Sequence, residues 1–123
     1  MKLGYIDKLY ATLSSLGDKE MPIRLAYKIT KLLSQIEEDY TFYMEEVRKI
    51  ALKHAKKNES GEPEIEGANI SIQEGHMDIL EKELLDLSKV DVSKPDICFT
   101  LEELEILQIT PTNLQILLPF IEE

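Results

Sequence analysis

Between Pro22 and Asn58 the chain has no glycine, and apolar side chains fall at Leu25, Ile29, Leu32, Ile36, Tyr40, Tyr43, Val47 and Ile50 in steps of three and four, a rhythm that His54 continues. Such spacing lays one stripe along one long α-helix. A flanking line at Ala26, Leu33, Met44, Ala51 and Ala55 widens the apolar face, which predicts a helix covered by more than one neighbour. At ~1.5 Å rise per residue the segment would reach roughly 50 Å, more than a compact domain of this size requires. The helix is therefore expected either to kink or to meet another chain over part of its length.

Upstream, Tyr5, Leu9, Leu13 and Leu16 recur at helical spacing and stop at Gly17, giving a short first helix that turns back through Asp18, Lys19 and Glu20. Pro22 suits a helix start, so the two helices should form an antiparallel hairpin. Downstream, residues 58–63 (Asn-Glu-Ser-Gly-Glu-Pro) are a turn cluster, read as a loop inside one domain spanning 1–123. Ile65, Ile70 and Ile72 around Gly67-Ala68-Asn69 predict a small β-hairpin. Helical spacing resumes at Met77, Leu80, Leu84 and Leu87. Val90 and Val92 alternate with Asp91, and Ile97 and Phe99 follow Pro95, which predicts one or two short strands. Thr100 and Glu103 have the spacing of a capping box. Thr110-Pro111 is a second helix start, and Leu114, Leu117, Leu118 and Ile121 make a last helical apolar face ahead of Glu122 and Glu123. The expected fold class is mainly α (α+β): a helical hairpin with one long helix, a small β-hairpin or short strands, and short C-terminal helices.

Charge divides the chain more sharply than hydropathy does. Through Asn58 there are eleven Lys/Arg against eight Asp/Glu, a balance of +3; from Glu59 onward there are three against sixteen, a balance of −13, for a net −10 over 123 residues. A half this acidic can lie on the protein's own basic half, keep the chain soluble, or face a basic partner. Direct nucleic-acid binding is not expected from such a balance. Arg48, Lys49, Lys53, Lys56 and Lys57 crowd the end of the long helix, where the helix dipole favours cations. Tyr5, Asp7, Lys8 and Tyr10 break up the N-terminal region, so neither a signal peptide nor a membrane span is expected. The one cysteine, Cys98, fits a reducing compartment, which places the expected working environment in a cytoplasm.

Reactive chemistry has little to stand on. His54 and His76 match no metal-ligand spacing; the first continues the apolar stripe as a half-buried residue at the helix end, and the second falls at a cap or surface position. Cys98, between Ile97 and Phe99, is expected to be a small buried hydrophobe rather than a nucleophile. Phosphate-binding glycine loops, nucleophile elbows and CxxC pairs are all missing from the sequence. The expectation is a protein without enzymatic activity, metal or cofactor.

The short first helix, the run from Glu20 through Met21-Pro22-Ile23-Arg24-Leu25-Ala26-Tyr27-Lys28 to Ile29, the long charged helix ending in Arg48 and Lys49, the 58–63 turn, and the tail from Leu107-Gln108-Ile109-Thr110-Pro111 to Leu117-Leu118-Pro119-Phe120-Ile121-Glu122-Glu123 resemble a group of small proteins encoded in phages and prophages of low-GC Gram-positive bacteria. The similarity covers nearly the whole chain and consists of packing, capping and turn residues, so it implies origin and architecture but no activity. A phage setting implies two roles. One is a virion assembly or accessory protein that binds itself or a larger structural protein through helix faces at Tyr40, Tyr43, Val47, Leu114 and Leu118, in the host cytoplasm or in the virion. The other is an inhibitor of a host or defence nucleic-acid enzyme, in the manner of a nucleic-acid mimic, with Glu62, Glu64, Glu66, Glu74, Asp78 and Glu81 presented as the acidic surface.

Overall fold

The computed structural model describes residues 1–67 and 69–122; Ala68 of the expected hairpin turn and the terminal Glu123 lie outside them. Two helices, α1 (Leu3–Leu16) and α2 (Ile23–Lys53), form the expected hairpin. In α1 the buried stripe is Leu3, Ile6, Leu9, Leu13 and Leu16, which keeps the expected leucines but replaces Tyr5 by its neighbours. Tyr5 is half-buried at the edge, where its hydroxyl donates to the Ile116 carbonyl and burial pushes its pKa up to about 12. In α2 the buried positions are Leu25, Ile29, Leu32 and Ile36, and full burial stops there. A helix of 14 residues cannot cover one of 31, so Tyr40, Tyr43, Val47 and Ile50 continue the stripe only half-buried.

Helix α2 ends at Lys53, short of the Asn58 limit set by the missing glycines. Its continuation is captured by a different set of backbone partners. Ala55 bridges Ile72 and Lys57 bridges Pro63, while the Lys56 N–H donates to the Ser71 carbonyl at 2.7 Å and the Glu64 N–H donates to the Lys56 carbonyl at 2.8 Å. Beside these bridges lies the expected hairpin, β1 (Ile65–Glu66) antiparallel to β2 (Asn69–Ile70), with Ile65 opposite Ile70. Lys56 and Lys57 therefore stand beyond the helix, and of the basic cluster Lys53 is the member in its last turn.

Helix α3 (Met77–Ser88) returns along α2 from its distal end and reaches the N-terminus of α1. The close approach falls at Gly4, where an added Cβ would stand 2.8 Å from the Ser88 Cβ. The strand expected at Val90 to Val92 shrinks to one bridge. Asp91 lies opposite Lys2, with the Leu3 N–H on the Val90 carbonyl at 2.9 Å, the Val92 N–H on the Met1 carbonyl at 2.7 Å, and a 2.7 Å Lys2–Asp91 ion pair.

The C-terminal third closes the proximal end of the hairpin. Strand β3 (Phe99–Thr100) pairs in parallel with β4 (Ile121–Glu122), and between them lie α4 (Leu101–Glu105), α5 (Pro111–Leu117) and one 3-10 turn at Leu118–Phe120. The face expected from Leu114 to Ile121 as one helix thus breaks after Leu117. Pro119 has no N–H to continue the ladder, and Ile121 is extended so as to pair with Phe99. Phe99, Leu104, Leu107, Leu117 and Phe120 complete the core with the hairpin leucines. Cys98 is exposed, contrary to its expected burial: on extended backbone neighbours alternate, and Ile97 and Phe99 take the inward positions. Among the described residues, no helix is long and apolar enough to cross a membrane.

The capping box forms as expected. The Glu103 N–H donates to Thr100 Oγ1 at 3.1 Å and the Thr100 N–H donates to Glu103 Oε1 at 3.0 Å, with Lys28 Nζ on the same carboxylate oxygen at 2.8 Å. The Lys28 hydrogen bond, followed by those of Thr100, holds the Glu103 carboxyl below its usual 4.5. A carboxylate with a lowered folded-state pKa stabilises the fold fully above 4.5 and loses that contribution as pH falls through the folded value. Glu103→Gln keeps the cap but removes the charge, so it should cost up to about 1 kcal/mol at neutral pH and progressively less as the pH falls below 4.5. Urea midpoints of the two chains across that range will test this; a gap that does not narrow in acid would contradict it.

Candidate functional site

Beyond Ile36, α2 carries Tyr40, Met44, Val47 and Ala51 one above another, as residues three and four apart on a helix must lie. Together with Ile70, which reaches over from the β-hairpin, they line a largely apolar groove of about 550 Å³, and Thr41, Glu45 and Arg48 form the neighbouring row along its side. The groove exists because α2 outruns α1 and the hairpin folds back against its end. Met44 is 42% exposed, and Tyr40, Val47, Ala51 and Ile70 are half-buried.

The expected partner-binding residues separate on this scaffold. Tyr40 and Val47 both line the groove, although the ring of Tyr40 also stacks on Tyr10 with centroids 3.8 Å apart and planes within 6°. Tyr43 faces inward, packed against the core beside Asp7, where burial and then the Asp7 charge raise its pKa. Leu114 lines a different groove, about 430 Å³, with Leu101, Leu104 and Ile109, and shares no lining residue with the first. Leu118 is 53% exposed in the 3-10 turn. Sequence periodicity ranked Met44 and Ala51 as flanking positions; the signal for their role was the length of α2 relative to α1.

The six acidic candidates are all exposed: Glu62, Glu64 and Glu66 in and before the β-hairpin, Glu74 in the following loop, and Asp78 and Glu81 one turn apart on α3. Among the described residues, the ion pair that any of them makes is Lys56–Glu64, at 4.0 Å. The basic end of α2 therefore leaves most of this charge unneutralised.

A feature without any sequence signal lies at the far end of α2. His54, buried at the helix C-cap, meets His76 at the N-cap of α3: their Nδ1 atoms are 3.1 Å apart and the rings are edge to face at 72°. His54 Nε2 stands 2.9 Å from Glu83 Oε1, and Lys53 Nζ reaches the same oxygen at 3.2 Å. The bond from His54, then that from Lys53, lowers the Glu83 pKa. An ionised carboxylate only accepts, so His54 carries a proton on Nε2, and as a neutral ring it presents a lone pair at Nδ1. Among the described residues the hydrogen bonds of the two rings run to each other and to Glu83. No family model, curated protein or solved structure matches this chain.

Proposed function

We propose that this chain acts without catalysis, by protein–protein binding, as a phage-encoded virion assembly or accessory protein whose distal α2 groove pairs with a second copy of itself. What carries this reading is the 31-residue helix that buries Leu25 to Ile36 in its own core and then continues for more than four turns with an apolar row along an open groove. The side rows fit self-pairing. Two α2 segments crossing antiparallel about a two-fold axis between Glu46 and Val47 set Glu45 of each copy against Arg48 of the other, so the same patch is complementary to itself. The phage setting comes from the sequence resemblance alone.

One observation favours a second reading, inhibition of a host nucleic-acid enzyme: five of the six exposed acids, Glu62, Glu66, Glu74, Asp78 and Glu81, are outside the ion pairs of the described residues. Apolar pairing is insensitive to salt, and mutual repulsion of two chains at −10 each even weakens as salt is added, whereas acidic contacts to a basic channel are screened. Co-expression of tagged and untagged chain in infected host cells, with capture on the tag at low and high salt, distinguishes the two. Untagged chain retained at both salts, together with phage structural proteins, is the expected result. A host nucleic-acid enzyme held only at low salt, with no untagged copy, would replace assembly by inhibition.

A further inference from the structure

We propose that His54 and His76 form a binding site for one divalent transition-metal ion of the zinc type, with solvent completing its coordination. Two imidazole nitrogens at the observed 3.1 Å stand close to the span they would have as ligands. Tetrahedral zinc holds histidine nitrogens at ~2.0–2.1 Å, which sets neighbouring donors roughly 3.3 Å apart. The pair needs to open by roughly a few tenths of an ångström, and the rings, which now meet nearly head-on with centroids 5.3 Å apart, need to tilt so that both nitrogens face one ion.

The surroundings of His54 are those of a metal-binding histidine. Such a ring donates its other N–H to a carboxylate, which fixes the tautomer and raises the basicity of the ligating nitrogen. Glu83 receives that bond at 2.9 Å, and Lys53 in turn holds the carboxylate. The backbone is fixed as well, since the His54 carbonyl accepts from the Gln73 N–H at 2.8 Å, in the segment leading to His76. Burial of His54 makes one ligand rigid; the partial exposure of His76 gives the ion a way in and leaves its outer side to water.

Without metal and with both rings neutral, the contact is made by a proton on His76 Nδ1, donated to the His54 lone pair. Metal binding replaces that hydrogen bond, and His76 moves its proton to Nε2, so both rings bind as neutral ligands with no net proton released. Among the described residues no three His, Cys, Asp or Glu side chains gather as a metal-binding group, so the protein supplies two ligands and the affinity is modest. The exposed acids Glu74 and Asp78, each two residues from His76, add a negative field that favours a cation. Imidazole donors select zinc, nickel or copper over magnesium and calcium, which demand oxygen.

Isothermal titration of the metal-free full chain with zinc chloride tests the site. The expected result is one ion per chain with a micromolar dissociation constant and no uptake of magnesium. His76→Ala, at the partly exposed ligand, should weaken binding at least tenfold, and Glu83→Gln should weaken it roughly 10- to 100-fold by releasing His54. Asp78→Asn, which leaves both ligands in place, should change affinity less than threefold. Nitrogen-15 spectra of the imidazoles should report coordination at Nδ1 of both rings. Absence of saturable uptake below about 1 mM zinc, or a His76→Ala chain that binds as tightly as the parent, would leave the pair as a hydrogen bond only and overturn the proposal.

Discussion

Phe99→Ala is expected to lower the unfolding free energy by about 3–5 kcal/mol, a large share of the ~5–15 kcal/mol that holds a domain of this size together. The ring is fully buried and belongs to a two-residue strand whose partner, Ile121, comes from the far end of the chain. Lys28, on α2, extends over it with Nζ 6.0 Å from the ring centre and donates to the neighbouring Cys98 carbonyl at 3.0 Å. Removing the ring therefore opens a cavity where α2, β3 and β4 meet, and short strands with little pairing of their own cannot collapse to fill it. Ile23→Ala is the matched control: the side chain is 84% exposed at the start of α2, and its loss should stay within about 0.5 kcal/mol. Urea denaturation followed by far-ultraviolet circular dichroism measures both, and a Phe99→Ala cost below about 1.5 kcal/mol would mean that the core is not built around this ring.

How much of this was legible in the residues depends on the range of the interaction. Helix periodicity is local, so Leu9, Leu13, Leu16 and the row from Leu25 to Ile36 could be assigned to packed faces directly, as could the Thr100 cap, whose partner is three residues away. What the stripe could not tell is where its cover ends. Leu32 and Val47 are alike in their sequence surroundings, yet Leu32 is fully buried in the core that α1 and α2 share while Val47 lines an open groove. The end of α2 was equally hidden, because Ala55 and Lys57 leave the helix to meet Ile72 and Pro63, partners with no local signature. Likewise the histidine pair depends on α3 returning along α2, which brings residues 22 positions apart into contact. Cys98 was the opposite case: the alternation that placed Ile97 and Phe99 inward already implied an outward thiol, and the apolar neighbours obscured it.

The larger effect on function is expected from Met44→Asp, which should abolish retention of a second copy, raising the dissociation constant roughly 100-fold or more. Met44 lies midway along the groove, 42% exposed, with Tyr40 and Val47 on either side. In the free chain a carboxylate there remains in water, so the fold should lose less than about 0.5 kcal/mol. Between two copies it would be largely shut against apolar side chains, with the nearest cation, Arg48, already set against Glu45, and two-fold symmetry imposes that desolvation cost twice. Electrostatics gives a finer check on the geometry. Glu45→Arg alone would set like charges against Arg48 of the second copy and weaken pairing, while Glu45→Arg with Arg48→Glu restores opposite signs and should recover it, because each row sees only its own symmetry mate. Sedimentation velocity over a concentration series reads all three variants. If Met44→Asp associates like the parent chain, the distal α2 groove is not the interface; if the single and double charge reversals behave alike, the helices do not cross antiparallel at this point.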